Sequence, residues 1–325
     1  MSLLYISELN YSIKQTAIIF DFSLEIGGGE IVAILGESGS GKSTLLRLIA
    51  ALEQPNSGTL LLDDERIVPP AEKLIAGHGQ IKLVKQDFGL FPNVSLRENI
   101  SYELRFYEDG YRNDRVDKLL KLSGLKAVSN RLPREVSGGE QQRAVIARAL
   151  ADEPRLLLLD EPFSHLDLLN KARLKTEVLA TIREEKSGCI FVTHEVNDAF
   201  GIADKMVVIR EGKTLQTGTP VEIYERPESV YTAQLTGLCN ILSNTEVKVL
   251  QVGIVESESV FMIRPEWLLE NPKGVLGNIK SVIFSGHFYQ YEVEVKGVLL
   301  KWLSFKLFLV NDEVKLLTNK FWQIN

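Results

Sequence analysis

The sequence predicts an α/β fold over residues 1–236, followed by a small all-β domain over 237–325. Three observations predict it. Almost wholly apolar runs at Ile31–Leu35, Arg155–Leu159 and Ile190–Thr193 alternate with helical spacing, as expected for parallel strands covered on both faces. A glycine-rich stretch, Gly36-Glu37-Ser38-Gly39-Ser40-Gly41-Lys42-Ser43-Thr44, joins the first run to the apolar helix Leu45–Ala50. Past residue 236 the pattern turns to β-branched alternation, as in Tyr291-Glu292-Val293-Glu294-Val295.

The elements follow in order. Leu3–Leu9 and Phe20–Ile26 read as short strands with a turn at Gly27-Gly28-Gly29, and Phe20 and Phe22 read as core residues. Gly58–Leu62 and Arg66–Val68 flank Asp63-Asp64-Glu65, the mark of a hairpin. A helical region spans about 88–152. Ser95-Leu96-Arg97-Glu98 pairs a capping serine with a glutamate three residues on, and Asn113–Leu122 and Gly138–Leu150 carry three-to-four-residue apolar spacing. Lys205–Arg210 is a further strand. In the second domain Val247-Lys248-Val249 and Phe305-Lys306-Leu307 read as strands.

Composition excludes several classes. A net charge of −6 offers no general attraction to polyanions, so nucleic acid is not expected as a partner. Two cysteines, Cys189 and Cys239, are too few for a disulfide framework, and Cys189 sits in an apolar run as a small hydrophobe. The N-terminus carries no basic segment followed by a long apolar one, so no signal peptide is expected. No run approaches the ~18 uncharged residues of a spanning helix. The chain is expected to be soluble or peripheral, with any membrane crossing left to another chain. His78, His165 and His287 have no visible partner and are assigned no metal.

The chemistry begins at the glycine-rich turn. Its glycines let successive N–H groups point into one concavity, and the following helix adds its positive end. Lys42 is placed to reach β- and γ-phosphates and the Ser43 hydroxyl to ligate magnesium, which implies a nucleoside triphosphate site. Asp160 closes a buried strand and is aimed towards magnesium, with Glu161 beside it to polarise a water. Asn170-Lys171-Ala172-Arg173 lacks the aspartate of a guanine reader, which argues against a GTPase. Ser137-Gly138-Gly139 opens a helix and reads either as a second anion site or as an ordinary capped helix start. Two such sites need two ligands, or a dimer in which each chain's second site faces the other's phosphate.

Taken together, these motifs resemble the nucleotide-binding subunit of an ABC transporter over residues 1 to about 235. The order is that of the family: Walker A at 36–44, a Q-loop at Gln86, a signature at Ser137–Gln141, Walker B ending at Asp160-Glu161, a D-loop at Ser164–Asp167, and a switch histidine at His194. The resemblance implies a RecA-like core with an antiparallel β subdomain and a helical subdomain. It implies ATP and Mg2+ as cofactors. The loop residues Gly36, Ser38, Gly39, Ser40, Gly41, Lys42 and Thr44 would hold phosphate, while Ser43, Gln86 and Asp160 organise magnesium. Glu161 would be the general base, with His194 and Gln86 serving catalysis. Ser137, Gly138 and Gly139 would close over a partner chain's nucleotide, and Asp167 would link the two sites. Tyr11 is the aromatic chosen to stack on adenine. Val136, Glu140 and His165 depart from the usual residues without removing a phosphate ligand.

The segment after Gln86, Phe88–Ser95, corresponds to the part of the family that receives a cytoplasmic helix of the membrane subunit. The C-terminal domain resembles the OB-like (TOBE-type) domain of import ATPases, through Phe261–Trp267 and Gly237–Leu242. The resemblance therefore implies a subunit that energises an importer from the cytoplasmic face of the membrane. Its partners would be a second ATPase subunit in a homodimer, transmembrane permease subunits and a solute-binding protein. The competing reading is a non-transport ABC ATPase acting on ribosomes or nucleic acid. Against it stand the acidic balance and the lack of a second cassette or coiled-coil insertion. An intact Glu161 and His194 argue against a regulator without turnover.

Overall fold

A computed structural model of the protein describes residues 2–85, 89–164, 168–250 and 259–324. The chain opens on a long hairpin of β1 (Ser2–Ile13) and β2 (Thr16–Gly27), both longer than their apolar patterning suggests. Lys14 and Gln15 make the turn with positive φ, in place of the glycine or asparagine that usually marks one. Phe22 is buried as expected. Phe20 is not core: it is half exposed, with the Lys213 ammonium 4.9 Å from its ring centre.

After the Gly27–Gly29 turn come β3 (Ile31–Leu35), wholly buried, and α1 (Lys42–Ile49). β4 (Ser57–Leu62) and β5 (Glu65–Arg66) form the expected hairpin, and Asp63 and Asp64 both take the positive φ of a two-residue turn. Then follow β6 (Ile81–Val84) and the helical region, with α2 (Leu96–Ser101), α3 (Asp109–Leu122) and α4 (Gly138–Leu150). α2 starts at the Ser95–Glu98 capping box read from the sequence. Strands and helices then alternate through β7 (Leu156–Asp160), α5 (Leu168–Glu185), β8 (Gly188–Thr193), the short α6 (Val196–Ala199), β9 (Lys205–Arg210) and β10 (Lys213–Gly218).

The central sheet has the order β10-β9-β3-β8-β7-β6, parallel except for β10 at one edge. A separate antiparallel sheet has the order β2-β1-β4-β5. Side chains of α1 (Leu45, Leu46, Leu48, Ile49) pack with both sheets in one core. Each such side chain contributes about 1.5–3 kcal/mol relative to exposure. Register fixes what meets at the carboxyl edge of the parallel sheet. Leu35 pairs with Thr193, and Asp160 with Val192. The residues that follow β3, β7 and β8 therefore emerge side by side, where open α/β sheets hold their ligands.

Contacts divide the chain into Met1–Pro220 and Val221–Asn325. In the second unit, α7 (Pro220–Glu225) and α8 (Val230–Leu235) precede β11 (Asn240–Leu242), α9 (Asn244–Val249), β12 (Val260–Ile263), β13 (Leu269–Phe284), β14 (Tyr289–Val295), β15 (Val298–Ser304), β16 (Glu313–Leu317) and β17 (Trp322–Ile324). Two antiparallel sheets result, β11-β12-β17 and β15-β14-β13-β16. Residues 221–236, placed in the first domain by sequence, group with this unit, and Arg264 supplies a reason. Its side chain is fully buried and donates to the carbonyls of Tyr224 at 2.7 Å and Ala233 at 2.9 Å, satisfying the ends of α7 and α8.

Two strand expectations in this unit are corrected. Val247-Lys248-Val249 lies in α9, because Ser243 and Glu246 close a capping box ahead of it and Val247 turns into the core. A reciprocal cap at the first turn outweighs the weak strand preference of two valines. Phe305-Lys306-Leu307 lies beyond the end of β15, with Phe305 and Leu307 exposed. No helix among the described residues is long and apolar enough to cross a membrane.

Candidate functional site

Gly36 follows β3 where a side chain has no room. A Cβ there would stand 2.4 Å from the Ile209 carbonyl oxygen and 2.7 Å from Ser40 Oγ. Gly41 caps α1 with φ 98°, and a Cβ on it would meet the Ile18 oxygen at 2.8 Å. At Gly41 any other residue would be both strained and obstructed, and at Gly36 obstructed, so the loop curls with glycine at these two positions. Ser40 is buried, and Ser38, Gly39 and Thr44 complete the turn and the first turn of the helix.

Lys42 is buried, and its ammonium donates to the carbonyls of Gly36 and Glu37, both at 2.8 Å. Burial lowers its pKa, and the nearby charges of Glu161, Asp160 and Glu37 only partly offset that. The Ser43 hydroxyl donates to Asp160 Oδ1 at 2.9 Å. Burial, together with the neighbouring Glu161, raises the Asp160 carboxyl, although the Ser43 bond and Lys42 pull it down.

Glu161 takes φ 49°, a conformation costly for a residue with a Cβ, of order 1–2 kcal/mol. Its N–H donates to the Val192 oxygen at 3.1 Å, and its own carbonyl accepts from Ser164 Oγ at 2.9 Å. The turn directs the carboxylate to His194, whose Nδ1 lies 3.1 Å from Glu161 Oε1. The fold therefore brings Lys42, Ser43, Asp160, Glu161 and His194, from three strands far apart in sequence, to one sheet edge. A hydroxyl and a carboxylate touching beside the glycine-rich turn are hard oxygen donors. They suit a magnesium ion that takes one or two protein ligands and the rest from phosphate and water.

Ser137 caps α4. Its hydroxyl accepts from the Glu140 N–H, and Glu140 Oε2 accepts from the Ser137 N–H at 2.8 Å and from its hydroxyl at 2.9 Å. Glu140, noted in the sequence only as a departure, therefore closes a capping box, and Ser-x-x-Glu is the signal for it. The Ser137 bonds hold the Glu140 carboxyl below its ordinary range. Gly138 and Gly139 form the first turn of α4, and a side chain on Gly139 would meet only the Arg143 guanidinium, at 3.9 Å. Gln86 and Asp167, and His165, lie outside the described residues.

Tyr11 is half buried on β1 opposite Ile19, whose side chain touches the Gly41 turn. Its hydroxyl is drawn instead to Glu53, beyond the far end of α1, and the hydrogen bond to that carboxylate, with burial, raises its pKa. Glu53 is in turn paired with Arg47. Of the expected set, this residue's polar contacts lead away from the loop. Cys189 is buried, and desolvation pushes its thiol well up, so it is a packing residue. Among the described residues no cluster of three His, Cys, Asp or Glu side chains forms a metal cage.

A family model described as ABC transporter matches residues 19–164. The Fe(3+) ions import ATP-binding protein FbpC 2 of Haemophilus influenzae is 33% identical, over 93% of this chain and 90% of its own. The spermidine/putrescine import ATP-binding protein PotA of Nitratidesulfovibrio vulgaris is 40% identical, over 71% of this chain and 62% of its own. Among solved structures, CbiO1 of Clostridium perfringens, part of the ABC transporter complex CbiONQ, aligns with a TM-score of 0.64 and 29% identity, covering 68% of this chain and 90% of that one. The phosphate loop, the Ser43–Asp160 contact and these likenesses agree: the chain belongs to the ABC transporter family, as an ATP-binding, ATP-hydrolysing subunit of the import type.

Proposed function

We propose that two copies of this chain hydrolyse ATP at paired composite sites and so drive a separate membrane permease that imports a small solute. The observation that carries this reading is the convergence at one sheet edge. Ser43 meets Asp160 at 2.9 Å, and Glu161 meets His194 at 3.1 Å. Magnesium would be held by Ser43, Asp160 and Gln86, and when bound it supplies charge neutralisation on the β- and γ-phosphates. Lys42 and the loop amides orient the triphosphate. Glu161 accepts the proton of the attacking water, and His194 holds the Glu161 carboxylate in place while facing the γ-phosphate. Tyr11 provides the adenine platform. Ser137, Gly138 and Gly139 close on the partner copy's nucleotide, and Asp167 links the two sites.

Coupling follows from chain continuity. Gln86 directly precedes the segment that reaches a groove of about 330 Å³ lined by Lys82, Lys85, Glu103, Val145 and Arg148. The Arg148 guanidinium lies 4.4 Å from the Phe91 ring centre, which ties α4 to that segment. A cytoplasmic helix of the permease docks in this groove, and the chain works peripherally at the cytoplasmic face. The second unit supports the dimer. FbpC 2 is named an ATP-binding protein for Fe(3+) ion import and PotA one for spermidine/putrescine import, and cargo of this range, delivered by a solute-binding protein, fits here. The test is ATPase activity of the chain alone and with its permease in proteoliposomes. Solute-stimulated hydrolysis supports the reading. Co-purification with ribosomes and no permease-dependent change would favour the non-transport alternative.

A further inference from the structure

The turn that carries His194 is held from one side by α5. Lys171, in the first turn of α5, donates to Glu195 Oε2 at 2.7 Å and lies 2.8 Å from Asp198 Oδ1. Lys175, one turn on, lies 2.9 Å from the same Asp198 oxygen and donates to the Asn197 carbonyl at 2.6 Å. Asp198 is buried, and its other oxygen accepts from the Thr193 hydroxyl at 3.2 Å. Thr193 Oγ1 in turn accepts from the Glu195 N–H at 3.0 Å. Both chain neighbours of His194 are therefore pinned, while its ring, joined to Glu161 through Nδ1, stays 46% exposed. Burial alone would lower the Lys171 ammonium, but its bonds to Asp198 and Glu195 hold it above the ordinary lysine value, so the clamp stays charged.

We infer that Lys171 and Asp198 form a clamp that fixes the His194 turn against α5, making Lys171 a positioning residue for ATP hydrolysis. α5 begins immediately after Asp167, so a displacement of its first turn is passed through Lys171 to the residues on either side of His194. The inference rests on the proposed role of His194 and adds to it a route by which the helix after the D-loop reaches the switch.

The test compares Lys171→Met, Lys171→Arg and His194→Ala by steady-state kinetics, together with hydrogen exchange over residues 193–198. Lys171→Met is expected to lower kcat about tenfold with the KM for ATP within about twofold, since a displaced catalytic group costs rate more than ground-state binding. Exchange should quicken at 193–198 with α1 and β3 unchanged, and Lys171→Arg should restore most of the rate. Glu195→Ala removes a half-exposed carboxylate and keeps the fold in any event; it should give the same signature in smaller measure. Wild-type turnover in both Lys171→Met and Glu195→Ala, beside an inactive His194→Ala, overturns the clamp. So does a loss confined to KM. Wild-type turnover in His194→Ala instead overturns the role of His194 itself.

Discussion

Replacing Glu161 by glutamine changes one atom and one charge at the centre of the site. The amide keeps the side-chain shape, so the turn at φ 49° and its bonds to Val192 and Ser164, all made by the backbone of Glu161, are retained. Its oxygen still accepts from His194, 3.1 Å away in the wild type, but the group no longer takes a proton from water. Loss of a general base of this kind slows chemistry by about 10²–10⁴-fold. At 1.36 kcal/mol per decade that is about 2.7–5.4 kcal/mol of barrier. ATP binding moves the other way. Glu161 raises the neighbouring Asp160 carboxyl, so its neutralisation makes Asp160 easier to ionise and removes a negative charge near a polyanion. The Kd for ATP is therefore expected to hold or fall, and an ATP-bound dimer to accumulate. Phosphate release and size-exclusion chromatography with light scattering read the two effects. Phosphate release within a few-fold of wild type would refute Glu161 as the base.

Three further outcomes are expected. Ser137→Arg should suppress steady-state turnover by tenfold or more while leaving ATP affinity of the same chain within a few-fold, beyond the ~0.5–2 kcal/mol of stability lost with the α4 cap; equal loss of binding in equilibrium titration would contradict a composite site. Tyr11→Ala should weaken ATP by about 5- to 150-fold, the ~1–3 kcal/mol of a base–aromatic stack, and leave inorganic triphosphate unaffected, as measured by competition binding. Glu185→Ala removes the buried carboxylate 2.5 Å from Arg115, whose 4% exposed side chain keeps its bonds to the Leu150 and Ala151 carbonyls, and should cost about 1.5–3 kcal/mol in denaturant unfolding. Burial would raise the Glu185 carboxyl, but Arg115 and Lys118 outweigh it and hold it low, so in the wild type this contribution is complete above the unfolded value of about 4.3 and fades as pH falls through the folded one.

The phosphate loop was legible because its chemistry is local. Gly36 and Gly41 stand where a Cβ would collide, so their identity alone announces the bend. The buried strands were legible for a related reason: only a run such as Leu156–Leu159 can be covered on both faces. Legibility failed where local signals compete. Lys14 and Gln15 adopt positive φ without glycine, so nothing marked the first hairpin turn. In α9 the valines suggest a strand, and the Ser243–Glu246 capping box, also legible in the sequence, overrides them. Long-range partners leave no local trace at all. Lys171 and Asp198 are joined across 27 positions, and Arg264 is buried against carbonyls of α7 and α8 that no spacing rule connects to it.

The most direct test of the account is calorimetric titration of the folded chain with ATP and magnesium, beside the same titration of Lys42→Ala. The Lys42 ammonium is held by the carbonyls of Gly36 and Glu37 at the start of α1, and its proposed role is to hold the phosphates. Wild-type protein should bind with saturable heat below millimolar ATP. The variant should bind about 10- to 150-fold more weakly, the ~1.5–3 kcal/mol of a hydrogen bond to a charged group. No heat at millimolar ATP from folded wild-type protein, or equal affinity in the variant, would contradict a triphosphate held by this loop.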